Sequence, residues 1–203
     1  MNFKIILAGL VGGVIMFLWG FISHMVLPLG EAGFKTLPHE DAVLPAISAQ
    51  IKEDGLYIFP WPESPPGTPM PVNAESRKKT EQLFQTAPHG LLLFHTPPAA
   101  MLSGGQLGTE LATNCVSSLL AAMLVSMALG CLGSFARRVF FVAAIGLIAG
   151  VAVNVPDWNW YGFPSNFTLA QIAEHVIGFA AAGLAIAAII KPAAASGQAS
   201  KTV

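Results

Sequence analysis

Apolar positions fall into four blocks along the chain, interrupted once by a long stretch of mixed composition. The first, Ile5 to Val26, contains no Asp, Glu, Lys or Arg and at 1.5 Å per residue is long enough to cross about 30 Å of hydrocarbon. It runs through Phe17, Trp19 and Phe21, well past the roughly 7 to 15 apolar residues of a secretory leader, and so reads as a span that is kept. Three more blocks, Leu111 to Gly133, Val139 to Val155 and Leu169 to Ile190, follow with only tight turns between them, the third block near the short limit of about 17 residues. The pattern predicts an all-α transmembrane bundle of four helices with a small α+β cap between helices one and two. Residues 1–28 form helix one, 29–108 the cap, 109–191 helices two to four, and 192–203 a flexible tail.

Within the cap, Pro38 to Asp54 reads as an amphipathic helix with Val43, Leu44, Ile47 and Ile51 on one face. Two β-type runs, Leu56 to Phe59 and Gly90 to His95, are expected to pair, while the proline-rich stretch Pro60 to Pro71 reads as an extended loop. Asn73 is placed to cap a second helix, Ala74 to Gln85. Between helices three and four, the turn Asp157 to Asn166 carries Trp158, Trp160 and Tyr161, rings suited to the membrane interface. Thr168 with Gln171 has capping-box spacing, and Phe167 with Ile172 stands at the staple positions, which predicts where helix four begins.

Composition agrees with lipid as the solvent. Hydrophobic residues make up 54% of the chain and charged residues 10%, against about one quarter charged in ordinary soluble domains. The net charge of −1 says little, but its distribution decides the topology. Lys4, Arg137, Arg138, Lys191 and Lys201 fall on one side of the four spans with no acid among them, and every Asp and Glu outside the spans falls on the other. By the positive-inside rule both termini are cytoplasmic and residues 29–108 lie outside. The basic triplet Arg77 to Lys79 reads as a solvated helix face, and nothing in the charge pattern suggests nucleic acid. Cys115 and Cys131, placed in one helix about 24 Å apart along its axis, cannot pair and read as buried small hydrophobes.

Two constellations remain. Gly9 and Gly13, Gly146 and Gly150, and Gly178 with Ala182 have the four-residue spacing that lets helix backbones approach closely, and are expected to pack inside the bundle. Glu174 and His175 lie two turns inside helix four, where a charge facing lipid costs at least about 2.5 kcal/mol. Together with Gln171 on the same helix, His24 on helix one and Asn154 on helix three they form a candidate intramembrane polar cluster. Such a cluster can bond to itself, hold haem, another tetrapyrrole or a metal through His24 and His175, or relay protons through Glu174. No haem-attachment, zincin, nucleophile-elbow or Walker motif is present, and no catalytic residue is assigned. His39, His89 and His95 lack a ligand spacing and read as surface or packing residues.

The Leu27 to Leu29 stretch after helix one, the run Gly55 to Trp61 (GLYIFPW) and the run from Trp158 to Ala170 (WNWYGFP…FTLA) resemble an uncharacterised group of bacterial four-helix inner-membrane proteins. The resemblance covers most of the chain and implies a bacterial cytoplasmic membrane and a shared architecture, with no activity to transfer. The expected function is that of a non-catalytic accessory or scaffolding subunit. Its partners would be the bilayer and other membrane subunits or a second copy. The alternatives are a haem-, pigment- or metal-binding protein using His24 and His175, and a small proton-coupled carrier or enzyme centred on Glu174.

Overall fold

A computed structural model describes residues 2–27, 29–60, 74–98 and 103–192. The chain is mostly helical, and four of its helices are long and apolar enough to cross a membrane. These are α1 (Phe3–Met25), α4 (Gly104–Met127), α5 (Phe135–Tyr161) and α6 (Ser165–Ile189). Between α1 and α4 come α2 (Glu40–Gln50), β1 (Gly55–Phe59), α3 (Ala74–Thr86) and β2 (Gly90–Phe94). The chain divides into two compact units, one holding most of the four long helices and the other comprising Lys35–Met101 with Trp160–Gly162.

In hydrocarbon, burying an apolar side chain gives helices no drive to associate, so van der Waals contact between backbones has to supply it. The glycines make that contact. A Cβ added at Gly9 would stand 2.7 Å from the Leu119 Cα, and one at Gly13 would stand 2.5 Å from the Cys115 Cα, so α1 and α4 run antiparallel in backbone contact. Gly12 faces Ser118 and Ala182, which brings α6 onto the neighbouring side of α1. The α5–α6 pair is built the same way. An added Cβ at Gly146 would meet the His175 carbonyl oxygen at 2.6 Å, and one at Gly150 the Ile172 Cα at 3.1 Å. Gly178 leaves room for the Trp19 ring. Around these contacts Ala8, Ala121, Ala122, Val125, Val142, Phe179, Ala182 and Ile186 form the buried core, drawn from all four long helices.

The α1–α4 seam is not closed along its whole length. Gly20 lies two turns beyond Gly13 on the same face, and Gly108 two turns before Cys115, yet a Cβ at either would meet nothing within 4 Å.

Several boundaries differ from the sequence expectation. Helix α4 begins at Gly104 rather than Leu111 because Ser103 and Gln106 form a capping box, with Gln106 N donating to Ser103 Oγ at 3.1 Å and Ser103 N to Gln106 Oε1 at 2.7 Å. It ends at Met127, so Cys131 lies beyond it in an exposed turn and Cys115 is only half-buried. Helix α5 is the longest of the four, not the shortest: it runs to Tyr161 through Pro156, which puts Trp158, Trp160 and Tyr161 on helix rather than in a turn. Proline costs that helix one hydrogen bond near its end, which is tolerated there more readily than mid-helix. Helix α6 begins at Ser165, one turn earlier than expected, and the Thr168–Gln171 capping box does not form. Instead the Thr168 hydroxyl donates back to the Pro164 carbonyl at 3.3 Å, and Phe167 packs at a tilt against Phe34 and Phe163, with ring centroids 5.7 and 5.3 Å apart.

In the second unit β1 and β2 pair antiparallel in the register Gly55 opposite Phe94 and Phe59 opposite Gly90. Asp54 braces the open end of this ribbon, accepting hydrogen bonds from the Thr96 amide at 2.8 Å, the Thr96 hydroxyl at 2.7 Å and the His95 Nδ1–H at 3.3 Å. Helix α2 is shorter than Pro38 to Asp54 and starts after His39, which adopts a left-handed φ of 54°. It buries no residue completely, and Leu44 of its expected apolar face is exposed. The Asn73 cap, the tail beyond Pro192 and all of the proline-rich loop except Pro60 lie outside the described residues.

Two outcomes follow from these contacts. Gly13→Ala should lower the thermal midpoint in detergent, by a loss on the order of 1–3 kcal/mol of overpacking, while Gly20→Ala should leave it level or raise it; equal midpoints would mean that the seam is not in contact at Gly13. The three donors at Asp54, chiefly the Thr96 amide and hydroxyl, hold its carboxyl down to about 2 from 3.8. Because the folded value is the lower one, this brace stabilises the unit above pH 3.8 and is lost as pH falls through 2. An NMR titration of the Asp54 carboxyl should find the low midpoint in the parent and a higher one in Thr96→Val.

Candidate functional site

Glu174 lies two and a half turns into α6, too deep for its short side chain to reach water past the helix start. Its carboxylate meets α1 instead. Trp19 and Ser23, one turn apart on α1, face Glu174 and Gly178, one turn apart on α6. The Ser23 hydroxyl stands 2.7 Å from Glu174 Oε1 and donates to it, and the Trp19 indole N–H donates to the Glu174 main-chain carbonyl at 3.0 Å. His24 completes the group, its Nδ1 lying 3.2 Å from Glu174 Oε1, 3.0 Å from Ser23 Oγ and 3.0 Å from the Gly20 carbonyl. A carbonyl can only accept, so the ring proton belongs on Nδ1. The imidazole lies against Gly30, where any Cβ would overlap it.

The side chain of Glu174 is 14% exposed, that of His24 51%, and Ser23 is completely buried. The second carboxylate oxygen of Glu174, Oε2, is buried with no hydrogen-bond partner among the described residues.

Of the five residues expected to converge, the fold brings two together. His175 points its Nδ1 at the Gln171 carbonyl of its own helix, 2.8 Å away. One residue beyond Glu174 is about 100° around the helix, and that turns His175 towards α5, where its Cβ faces Gly150. Asn154 is buried and donates to the Gly150 carbonyl at 2.8 Å, again on its own helix. The Gln171 side chain makes no hydrogen bond among the described residues. Ser23 and Trp19 are the members that sequence reasoning missed. Their signal was present, since they are the polar-capable residues at i and i+4 beside His24.

This geometry limits the chemistry. In a Ser–His–acid relay the serine and the acid occupy different ring nitrogens, whereas here Ser23 and Glu174 both crowd His24 Nδ1. Ser23 is also inaccessible to a substrate. His24 and His175 lie on different sides of α6, and among the described residues no group of three His, Cys, Asp or Glu side chains is placed to hold a metal ion. What the arrangement does supply is a polar clamp between α1 and α6.

A second buried polar group sits at the other end of the bundle. Arg138, 4% exposed, donates from Nη1 to the carbonyls of Leu132 at 3.1 Å and Gly133 at 3.0 Å, and from Nη2 to that of Ala187 at 3.3 Å. Ala187 is in the last turn of α6, whose carbonyls have no helical partner, so the guanidinium both satisfies one of them and complements the helix dipole. The charge pattern marked Arg138 only as a topology signal; its capping role depends on the fold.

Compared with protein-family models, with curated proteins and with solved structures, the chain has no match. The class its fold defines is that of a helical membrane protein with four candidate spans.

If the cluster is a clamp, Glu174→Gln should be tolerated, since an amide oxygen still accepts from Ser23. Glu174→Leu should cost about 1–3 kcal/mol by removing the acceptor that ties Ser23 and His24 to α6 and leaving both donors only the Gly20 carbonyl of their own helix. Thermal midpoints of both variants beside the parent measure this, and a Leu variant as stable as the parent would show that the carboxylate contributes nothing to helix pairing.

Proposed function

We propose that the protein is a non-catalytic accessory or scaffolding subunit of a larger membrane assembly, held in a bacterial cytoplasmic membrane with both termini inside and residues 29–108 outside. The observation that carries this reading is the closure of the Glu174 cluster. Its one hydroxyl is fully buried, its one half-exposed imidazole is anchored through Nδ1, and the donors present converge on a single carboxylate oxygen. Such a group fixes two helices and withdraws its hydroxyl and its carboxylate from a substrate. The glycine faces at Gly9, Gly13, Gly146, Gly150 and Gly178 are occupied within the fold, so a partner would meet other surfaces, such as the outward flank of α5 at Ile148 and Val153.

A second reading, a small proton-coupled carrier or enzyme centred on Glu174, rests on its Oε2, which is buried with no donor among the described residues, since intramembrane ionisable side chains are functional candidates. Purification in a mild detergent followed by mass spectrometry separates the two readings. A stoichiometric membrane partner supports the subunit. A lone chain that drives pH-dependent transport in liposomes, lost in Glu174→Gln at unchanged thermal midpoint, overturns it in favour of proton handling.

The topology has its own test, which uses the exposed Cys131 as a native probe. In intact cells of a Cys115→Ala background an impermeant maleimide should label Ser48→Cys and leave Cys131 unmodified until the membrane is opened. Labelling of both from outside would reverse or break the proposed threading.

A further inference from the structure

Near the start of α5 the fold leaves an open groove of about 400 Å³. Its walls are Leu132 of the α4–α5 turn and Ala136, Phe140, Phe141 and Ala144 of α5, and Arg137 lines its edge. The lining surface is wholly apolar, so Arg137 contributes the hydrocarbon stem of its side chain and leaves the guanidinium outside. Ala136, Phe140 and Ala144 follow one another at successive turns, which makes the groove a furrow along the helix axis about 12 Å long. A furrow of that direction and polarity suits one linear hydrocarbon chain, and its volume is within the range of roughly 300–1,000 Å³ found for small-molecule sites.

The charge around the groove selects what the chain must be attached to. Lys4, Arg137, Arg138 and Lys191 lie at this end of the long helices, and residues 2–10, 127–150 and 180–192 contain no Asp or Glu. Arg138 is directed inward onto three carbonyls. Arg137 is exposed and its guanidinium makes no hydrogen bond or ion pair among the described residues. A planar donor fork at a membrane edge, beside a hydrocarbon furrow, has the two chemistries that bind a phosphodiester and its acyl chain together.

We propose that this groove is a binding site for an anionic phospholipid, with one acyl chain along Ala136, Phe140 and Ala144 and the phosphate on Arg137. The inference requires only that the helices lie in a membrane. It does not depend on which side the cationic end faces or on whether the protein is an accessory subunit.

Native mass spectrometry of the full chain in a mild detergent, with phosphatidylglycerol or phosphatidylcholine added, tests it. Phosphatidylglycerol should be retained about five-fold more than phosphatidylcholine, the ratio expected for one interfacial cation. Arg137→Gln should abolish that preference, and Ala136→Trp, which fills the furrow from an exposed position, should lower retention of both lipids while the thermal midpoint stays that of the parent. Equal retention of the two lipids would overturn the proposal, as would a preference that survives Arg137→Gln. Competition by inorganic phosphate alone would reduce the site to an anion contact without a lipid. A lipid-free dimer dissociated by Ala136→Trp would assign the groove to a second copy of the chain.

Discussion

Backbone contact at glycine is the constraint on which the rest of this structure depends. Lipid gives apolar helices no reason to prefer one another over hydrocarbon, and the pairing must come from surfaces that fit more closely than lipid can. Here the fit is made at Gly9 and Gly13 against α4 and at Gly146 and Gly150 against α6. Those seams go with the placement of the polar group between α1 and α6. Gly178 admits the Trp19 ring, the indole reaches the Glu174 carbonyl, and Ser23 arrives one turn later opposite the carboxylate.

The bundle therefore carries a polar tie near each end, and the two are chemically unlike. At one end a carboxylate is held by side chains from another helix, through Ser23 and His24. At the other a guanidinium is held by main-chain carbonyls alone, from a turn and from a helix end. Side-chain partners can be removed by substitution, and so the Glu174 tie can be dissected residue by residue. Carbonyl partners cannot, so the Arg138 tie can be probed only through the arginine itself. Each tie leaves one buried atom without a partner among the described residues, Glu174 Oε2 and Arg138 Nε.

Much of this was legible in the sequence, for reasons that can be named. Runs of uncharged apolar residues give spans because hydrocarbon thickness sets their length, and two short β-type runs bounded by Gly and Pro pointed to the Gly55–Phe94 ribbon. The glycine pairs were visible because four-residue spacing of small residues has few other uses in a span. Helix ends were less legible. The start of α4 was hidden because Gly104, Gly105 and Gly108 look like loop and only the Ser103–Gln106 box overrides them. The start of α6 was misplaced because Thr168 at capping spacing can equally bond back to a carbonyl four residues earlier, and that is what it does. The polar cluster was half legible. Depth identified Glu174, but which neighbours it meets depends on the phase of each helix, and a 100° step sent His175 to α5 while Ser23, an ordinary residue by composition, came to the centre.

The Arg138 tie also carries an order in time. Two of its acceptors, Leu132 and Gly133, are six and five residues behind it and exist before the arginine itself leaves the ribosome, so the α4–α5 hairpin can enclose the guanidinium at once. The third, Ala187, is made forty-nine residues later. Until α6 has entered the membrane and reached its final turn, the guanidinium lacks its Ala187 acceptor. Helix α6 thus completes the coordination of a charge laid down at the start of the helix before it.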